Sequence, residues 1–369
     1  MVCAPTVSAN KPVALDASLW DEPITGIGLY TRQLHRSLVA AGEPVERWGA
    51  RKSGEVPRRS ASRTGWTVAH LATALSERRP RLFHALANFN LPLQRVAGVP
   101  YVLTVHDLVP LLLPDTVSTA FRWQFRLWLA RATTVAERII CVSDVARRSL
   151  LEHVDVDTSK LSVIHHGVDH VEAVAPPDRI TTAWLDALGL PDPFVLYAGA
   201  LDARKNVELV LRAVEQLFQQ GRRATLVLAG QRWFGSGSIE KQVLRLKEAG
   251  VDVRALGYLE DSVFYALMKR AGVFVFPSRY EGFGLPPLEA MRLGVPTIIS
   301  DAGSLPEVCG SGAWQVGVDD VSGLVQKLDA LLGDSAARAS LATAGLERAR
   351  QFSWAKTAKA TLAVYAQTV

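Results

Sequence analysis

The sequence lacks the features that define several other classes of protein. Its three cysteines, Cys3, Cys141 and Cys309, are too scattered to suggest a disulfide framework or a metal-ligand cluster, and they fit a reducing compartment. No apolar run approaches the ~20 residues that would span a bilayer. The first twenty residues have no basic start followed by an apolar stretch, so we expect no secretory signal. These absences together predict a cytoplasmic protein.

The motifs of several common chemistries are also missing. There is no His-Glu-x-x-His zinc helix, no Walker loop and no Gly-x-Ser-x-Gly elbow. Gly26 and Gly28 lack the third glycine of a dinucleotide fingerprint, which disfavours a dehydrogenase. Asp155 and Asp157 form an Asp-x-Asp pattern typical of some metal sites, but they lie in a polar connection after a predicted helix. We interpret this pattern as a turn and expect no metal.

Basic residues are concentrated in the first half of the chain. The formal net charge is +5, yet 15 Lys/Arg against 6 Asp/Glu fall between Arg51 and Arg148. Such an excess fits an anionic partner, such as a phospholipid surface or a phosphorylated acceptor, or else only a solvated surface. No RNA- or DNA-binding motif surrounds these residues, so we expect no nucleic acid partner.

A helical pattern over 118–137 concerns the same choice of partner. Its arginines Arg122 and Arg126 lie beside an apolar face, and Trp123 adds a further aromatic ring. A basic helix with tryptophan can lie in a membrane interface, whereas the same aromatic residues can also pack in the core of a domain. We favour the core slightly and keep peripheral membrane contact as the alternative. The apolar face consists of Phe121, Phe125, Trp128, Leu129 and Ala132.

Short apolar runs alternate with amphipathic stretches along the whole chain. Such alternation implies parallel sheets covered by helices on both faces, and 369 residues suit two doubly wound domains with a cleft between them. The Pro176–Pro177 pair within 171–180 predicts a stiff linker, which separates an N-terminal domain over 1–175 from a C-terminal domain over 181–350. The predicted strands are 13–15, 99–105, 138–142, 161–164, 194–197, 225–229, 273–276 and 297–299, and the clearest helices are 28–40, 206–219, 239–249, 287–293 and a last one over 353–369.

The densest chemical signal is the segment PSRYEGFGLPPLEAM at 277–291. A strand ends there, a turn follows in which Gly282 and Gly284 let the backbone approach a ligand, and a helix begins near Pro287. Free amides at a helix N-terminus favour a phosphate. Glu281 and Glu289 point to one crevice at the carboxyl end of a parallel sheet, where a carboxylate can accept hydrogen bonds from ribose or hexose hydroxyls. An ordinary strand-to-helix connection would explain the glycines alone.

This segment closely resembles the signature of family 4 glycosyltransferases of the GT-B fold, whose hallmark is two glutamates separated by seven residues. The resemblance covers nearly the whole chain and implies a retaining, metal-independent enzyme that uses a nucleotide sugar and has two Rossmann-like domains facing across a cleft. It also implies that the last helix, over 353–369, returns to the first domain. The other matching segments are TGIGLYTRQL at 25–34, HDL at 106–108, VSDVAR at 142–147, VIHHGVD at 163–169, FVLYAGALDARKNVELVLRAV at 194–214, LVLAG at 226–230 and ALGYL at 255–259.

The resemblance implies a role for each matching polar residue. Glu281 contacts the donor sugar near its reacting carbon, and Glu289 binds the ribose. Arg204 and Lys205 neutralise the donor diphosphate, which gains negative charge as the glycosidic bond breaks. Without the resemblance, Arg204 and Lys205 would be interpreted as a solvated turn before a helix.

Further residues are implied in the same site. His106 lies beside the donor sugar according to the resemblance, although a lone histidine after a strand is otherwise more often structural. The remaining residues implied in donor binding are Phe283, Gly284 and Leu285 through their amides, Gly26 and Gly28 from the other domain, and Leu259.

Donor and acceptor are less constrained by the sequence. The opening segment resembles bacterial mannosyl- and rhamnosyltransferases of surface-polysaccharide assembly, which favours a GDP-linked manno-configured donor, with UDP- or dTDP-sugars as alternatives. The acceptor is then a glycan or a lipid-linked glycan, and the enzyme works in the cytoplasm or at the inner membrane face. Two other functions fit the same architecture: a nucleotide-sugar epimerase, whose sequences lack the 277–291 signature, and a scaffold without activity, which the retained charged residues disfavour.

Overall fold

The computed structural model describes residues 11–21, 26–51, 54–57, 62–88, 90–230 and 237–369. The chain forms two compact units. Unit 1 comprises Met1–Gly167 and Ser353–Val369, and unit 2 comprises Val168–Phe352. The change from unit 1 to unit 2 therefore comes before the predicted linker, and the segment 171–180 lies inside unit 2.

Unit 1 contains a six-stranded parallel sheet with the order β2-β1-β3-β4-β5-β6. Its central strands are buried along their whole length, because helices cover both faces of a doubly wound sheet. The strands are β1 (Val13–Asp16), β2 (Val45–Trp48), β3 (Leu82–Ala85), β4 (Tyr101–Val105), β5 (Arg138–Cys141) and β6 (Leu161–Val163). The helices are α1 (Gly26–Ala40), α2 (Arg63–Gly65), α3 (Leu71–Arg78), α4 (Val109–Leu112), α5 (Thr119–Val135) and α6 (Asp144–His153), and a π-helical segment, Trp66–His70, joins α2 to α3.

Unit 2 contains a second six-stranded parallel sheet with the order β12-β11-β10-β7-β8-β9. The strands are β7 (Val195–Ala198), β8 (Leu226–Ala229), β9 (Val253–Gly257), β10 (Val273–Phe276), β11 (Thr297–Ser300) and β12 (Trp314–Val316). The helices are α7 (Arg179–Ala187), α8 (Val207–Gln219), α9 (Gly237–Glu248), α10 (Asp261–Lys269), α11 (Leu285–Arg292), α12 (Leu305–Cys309), α13 (Val321–Gly333) and α14 (Ser335–Ala349). Two parallel doubly wound sheets confirm the predicted fold class.

The last helix, α15 (Trp354–Ala366), belongs to unit 1. Ser353 caps it by accepting a hydrogen bond from the amide of Lys356. Trp354 and Tyr365 are buried in the core of unit 1, and the hydroxyl of Thr357 donates to the carbonyl oxygen of His165 at 2.7 Å. A Cβ atom on Gly167 would lie 2.1 Å from the amide nitrogen of Trp354, so the approach of α15 requires glycine there.

One face of helix α5 packs inside unit 1, and the other is exposed. Phe125, Leu129 and Ala132 of the predicted apolar face are buried in the core, as the favoured alternative predicted, whereas Trp128 is half-buried and Phe121 is exposed. A different pair on the same helix is exposed: Trp123 is 55% and Leu127 is 65% accessible. In the described part of the chain, no helix combines the length and the apolar character needed to cross a bilayer.

Candidate active site

The site in unit 2 is built where β10 ends and α11 begins. Helix α11 starts at Leu285, earlier than predicted. Prolines fit its first turn, because the amide protons of a first turn have no hydrogen-bond partner within the helix. Gly284 caps it with a φ of +94°, a conformation that side chains rarely adopt. Phe283 is buried just before this cap. Since Pro286 and Pro287 carry no amide proton, a phosphate at the first turn of α11 could be bound only by the amides that precede them.

Glu281 lies in this turn and accepts hydrogen bonds from two cations. Arg204 Nη1 lies 2.9 Å and Lys205 Nζ lies 2.6 Å from the same atom, Glu281 Oε1. The backbone carbonyl of Glu281 accepts from both the amide and the hydroxyl of Ser304, at 3.1 and 3.0 Å. Two positive charges are therefore held around one carboxylate oxygen.

The surroundings shift the pKa values of this cluster. Burial by itself raises the pKa of Glu281, but the charges of Lys205 and Arg204 outweigh burial and hold that pKa below its ordinary value. Burial is also the largest influence on Lys205 and lowers its pKa, although the charge of Glu281 opposes this. Glu281 is thus ionised at neutral pH.

Arg204 and Lys205 are held by a short 3-10 helix, Ala203–Lys205, after β7. Asp202 caps it by accepting from the amide of Lys205 at 2.8 Å. Arg204 also donates to the carbonyl oxygen of Tyr280 at 3.1 Å. Because both cationic side chains are largely buried and paired, the interpretation as a solvated turn is wrong.

Glu289 lies on α11 and is buried. Its Oε1 atom lies 3.1 Å from His170 Nε2 and 3.2 Å from the hydroxyl of Tyr265. His170 and Tyr265 were not predicted, since neither lies in a recognisable pattern around the two glutamates.

His106 lies in unit 1, directly after β4. Its Nε2 atom is 2.8 Å from the carbonyl oxygen of Leu86, so Nε2 carries the proton and Nδ1 is the acceptor. Its amide donates to Asn88 Oδ1 at 2.8 Å. Burial lowers the pKa of His106 to about 4, so the ring is neutral at pH 7. The rings of Tyr30 and His166 pack against it.

A second buried histidine in unit 1 was not predicted. His84 Nδ1 lies 2.7 Å from the hydroxyl of Tyr365, and Nε2 lies 2.8 Å from Thr104 Oγ1. Tyr30 reaches the same Thr104 hydroxyl at 3.2 Å. Burial, followed by the neighbouring His106, lowers the pKa of His84 to about 3.

The remaining predicted residues lie at the ends of secondary structure elements. Gly26 and Gly28 are in the first turn of α1, and a Cβ on Gly26 would meet nothing within 4 Å, while Thr25 before it lies outside the described residues. Leu259 follows β9 and is half-buried. Asp157 accepts from the amide of Ser159 at 2.9 Å and caps a 3-10 helix, which confirms the interpretation as a turn.

A cavity of about 330 Å³ opens in unit 1. At its polar end, Asn90 Nδ2 donates to Asp16 Oδ2 at 2.7 Å and to Ser18 Oγ at 3.0 Å. Burial raises the pKa of Asp16, although the hydrogen bonds from Asn90 and Ser18 oppose this. Its lining combines aromatic rings, amides and one arginine: Leu19, Ile27, Arg63, Thr64, Thr67, Ala87, Asn88, Asn90, Phe121, Gln124, Phe125 and Trp128.

Comparison with known families gives two matches. The family described as "Glycosyltransferase Family 4" matches residues 24–172, and the one described as "Glycosyl transferases group 1" matches residues 183–348. Over 380 residues the chain is 30% identical to the O-antigen chain mannosyltransferase B of Escherichia coli, which covers 93% of this chain and 96% of that protein. It is 34% identical over 272 residues to the serotype-specific mannosyltransferase WbdA of Escherichia coli, covering 71% of this chain and 33% of that protein.

Solved structures share the fold. Sucrose-phosphate synthase from Thermosynechococcus elongatus superimposes with a TM-score of 0.77 at 22% identity, covering 97% of this chain and 98% of that one. HepE of Anabaena, crystallised with UDP-glucose, gives a TM-score of 0.74 at 18% identity, covering 97% and 99%. The two parallel sheets, the family matches and the shared fold together define a glycosyltransferase of the GT-B fold. The chain belongs to glycosyltransferase family 4.

Proposed function

We propose that this glycosyltransferase is a retaining, metal-independent hexosyltransferase that moves mannose or rhamnose from a GDP-sugar onto a glycan or lipid-linked glycan. UDP- and dTDP-sugars are the alternative donors. The observation that carries the proposal is the cluster of Arg204, Lys205 and Glu281 beside the amino end of α11. The manno-configured donor is supported by the relatives named mannosyltransferases and by the predicted place in surface-polysaccharide synthesis.

The cluster suits departure of a nucleoside diphosphate. The leaving phosphate gains negative charge as the glycosidic bond breaks, and fixed cations stabilise that charge more in the transition state than in the ground state. A bound diphosphate would compete with Glu281 for Arg204 and Lys205, which would leave the carboxylate for the hydroxyls of the donor sugar. The amides of Phe283, Gly284 and Leu285 would add hydrogen bonds to the phosphates.

Retention follows most simply from a front-face displacement. The leaving phosphate takes the proton of the acceptor hydroxyl while the new bond forms on the same face of the sugar. Glu281 then orients the sugar and stabilises positive charge on it. An anomeric product of inverted configuration, seen by NMR, would exclude retention, and a covalent sugar adduct on Glu281, seen by mass spectrometry, would exclude this mechanism.

A thermal-shift and hydrolysis screen tests the donor site directly. GDP-, UDP-, dTDP- and ADP-sugars are compared, each with and without EDTA. We expect stabilisation by one nucleotide class, unchanged by EDTA and lost in Glu289→Ala and Arg204→Ala. Loss of turnover on EDTA treatment would contradict metal independence. Conversion of a donor into another free nucleotide sugar without acceptor would identify an epimerase instead, and no stabilisation by any nucleotide would favour a scaffold.

The cavity in unit 1 fits the acceptor. Ligand sites are typically lined by aromatic and apolar groups with a few polar groups that fix orientation, and this cavity combines Trp128 and Phe125 with Asn90 and Arg63. With octyl α-mannoside and octyl α-rhamnoside as acceptors, we expect Trp128→Ala to raise the acceptor KM about ten-fold without changing nucleotide binding, an effect of roughly 1.4 kcal/mol. The control is Trp184→Ala, because Trp184 is an exposed tryptophan in unit 2. An unchanged acceptor KM in Trp128→Ala would place the acceptor elsewhere.

The exposed pair on α5 supports contact with an anionic membrane at the inner face. Trp123 and Leu127 lie one turn apart, and Arg126 lies over the Trp123 ring, with 5.9 Å between its guanidinium carbon and the ring centroid. Apolar side chains with adjacent arginines are what an anionic interface binds. Of this pair, Trp123 was part of the prediction from the sequence, whereas Leu127 was not.

Vesicle sedimentation tests the membrane contact. We expect the protein to sediment with phosphatidylglycerol vesicles at low salt, and the double variant Trp123→Ala, Leu127→Ala to lose most of this binding. Ile180 and Trp184, an exposed apolar pair one turn apart on α7 in unit 2, provide the matched double-alanine control. No binding by the unaltered protein would remove the proposal.

A further inference from the structure

Three buried side chains from separate elements meet around one oxygen atom in unit 2. His170 lies in the 3-10 helix Asp169–Ala173, Tyr265 lies on α10, and Glu289 lies on α11. His170 Nε2 is 3.1 Å from Glu289 Oε1 and 3.3 Å from the Tyr265 hydroxyl, and that hydroxyl is 3.2 Å from the same Oε1. All three residues are at most 8% exposed.

The protons in this group can be placed by chemistry. The Glu289 carboxylate only accepts, so the Tyr265 hydroxyl donates to Oε1 and His170 Nε2 carries the proton that points to it. Burial, followed by the charge of Glu289, raises the pKa of Tyr265 far above its ordinary value. The Tyr265 hydroxyl therefore remains a donor throughout the physiological pH range.

Both donors act on one of the two carboxylate oxygens. Among the described residues, none donates a hydrogen bond to Glu289 Oε2. Fixing Oε1 sets the rotation of the carboxylate, so the direction in which Oε2 points is set before any ligand arrives. Such pre-organisation saves the entropy of freezing a glutamate side chain on binding, which is worth roughly ten-fold in affinity.

We propose that His170 and Tyr265 are positioning residues that hold Glu289 so that Oε2 accepts a hydrogen bond from a ribose hydroxyl of the donor nucleotide. This inference rests on the proposed function, in which Glu289 binds the ribose. By positioning Glu289, the pair favours binding of a ribonucleotide over a nucleotide that lacks ribose hydroxyls.

The alternative to a positioning role is that His170 and Tyr265 only hold the 3-10 helix against α11. A second link between these two elements makes this alternative testable. Arg292 Nε on α11 lies 2.8 Å from Oε1 of Glu172 in the same 3-10 helix as His170. Arg292→Ala therefore breaks a connection between the 3-10 helix and α11 without touching Glu289, and it serves as the matched control.

The test measures binding of GDP and UDP and of their 2′,3′-dideoxy forms by calorimetry. For each base that binds, the readout is the affinity for the ribonucleotide divided by the affinity for its dideoxy form. We expect Tyr265→Phe and His170→Ala each to lower this ratio several-fold, with the double variant near ten-fold. His170→Gln, whose amide can donate, restores part of it, and Arg292→Ala leaves it unchanged. In turnover, we expect the donor KM to rise while kcat changes little, as for a loss of uniform binding.

Each outcome bears on one of the two proposals. If Glu289→Ala abolishes the ratio but Tyr265→Phe and His170→Ala leave it at the unaltered value, the positioning role is wrong and the proposed function stands. If Arg292→Ala lowers the ratio as much as His170→Ala, the group is only a brace and the inference fails. If the unaltered protein binds dTDP but neither GDP nor UDP, the inference fails and the proposed function stands. If it binds none of the three, both fail.

Discussion

Arg204 and Lys205 share a single oxygen of Glu281, and the catalytic role proposed for each can be tested by replacing one residue at a time. We expect Arg204→Ala to lower kcat by about 10²- to 10³-fold, the usual cost of removing one group that stabilises developing negative charge. The measurement is steady-state turnover at saturating donor and acceptor.

Arg222 offers a matched control for the removal of an arginine. It lies in the same unit, is largely exposed and pairs with Asp329 at 2.6 Å. Exposed pairs contribute little to stability, so Arg222→Ala should keep kcat within about two-fold. Equal losses in Arg204→Ala and Arg222→Ala would show that Arg204 has no special role in the reaction.

At this scale, the sequence identified the charged residues but not the residues that hold them. Glu281, Glu289, Arg204 and Lys205 fall in segments whose spacing is recognisable, and the structure pairs Glu281 with both cations. Ser304, His170 and Tyr265 could not be found in this way, because each meets its glutamate through the fold and not through spacing along the chain.

At the scale of elements, the loop after β11 supports the turn that carries Glu281. Gly303 has a φ of +59°, and a Cβ there would lie 2.7 Å from the amide nitrogen and 2.8 Å from the carbonyl oxygen of Glu281. We expect Gly303→Ala to displace this turn and lower turnover at least ten-fold. It should also lose more than about 1 kcal/mol of unfolding free energy, the usual cost of a side chain at positive φ.

Gly294 provides a control that separates the two effects of Gly303→Ala, the steric clash of a Cβ and the strain of a side chain at positive φ. It also has positive φ, +75°, but a Cβ there would meet nothing within 4 Å. Gly294→Ala should therefore cost about 1 kcal/mol of unfolding free energy and leave turnover nearly unchanged. Urea unfolding and steady-state kinetics on both variants check this, and equal turnover in the two would contradict the role of the loop.

The same scale shows which elements a sequence can reveal. The central strands β4, β7 and β10 are continuous apolar runs, since both of their faces are covered, and all three were predicted. The strands β2, β3, β9 and β12 were missed. Strands β2, β9 and β12 lie at sheet edges and carry polar residues on their exposed sides, so their apolar pattern is broken. Strand β3 is central and fully buried, but it is only four residues long and includes His84.

At the scale of the whole molecule, the buried histidines of unit 1 tie stability to pH. Burial lowers the pKa of His84 to about 3 and of His106 to about 4, and it lowers that of His166 well below its ordinary value. Unfolding returns each ring to a pKa of about 6.5, so the unfolded chain binds more protons below that pH. Stability is thus full above about pH 6.5 and falls as the pH drops toward 4.

Urea unfolding between pH 7 and 5 measures this effect before most carboxylates titrate. Each histidine should remove up to about 1.4 kcal/mol of unfolding free energy per pH unit in the lower part of this range. His106→Gln keeps a donor for the Leu86 carbonyl but does not titrate. The slope of its unfolding free energy against pH should therefore be smaller by the contribution of about one proton. Identical slopes for His106→Gln and the unaltered protein would show that His106 is not responsible.

The position of α15 in unit 1 has a consequence for how the chain is made. Unit 2 is one continuous stretch, Val168–Phe352, whereas unit 1 needs both Met1–Gly167 and Ser353–Val369. A ribosome therefore releases all of unit 2 before it releases the helix that carries Trp354 and Tyr365 into the core of unit 1. The nascent chain exposes the apolar surface that this helix covers until α15 has been released, so chaperones that bind apolar surface should engage the first part of the chain longer than the second.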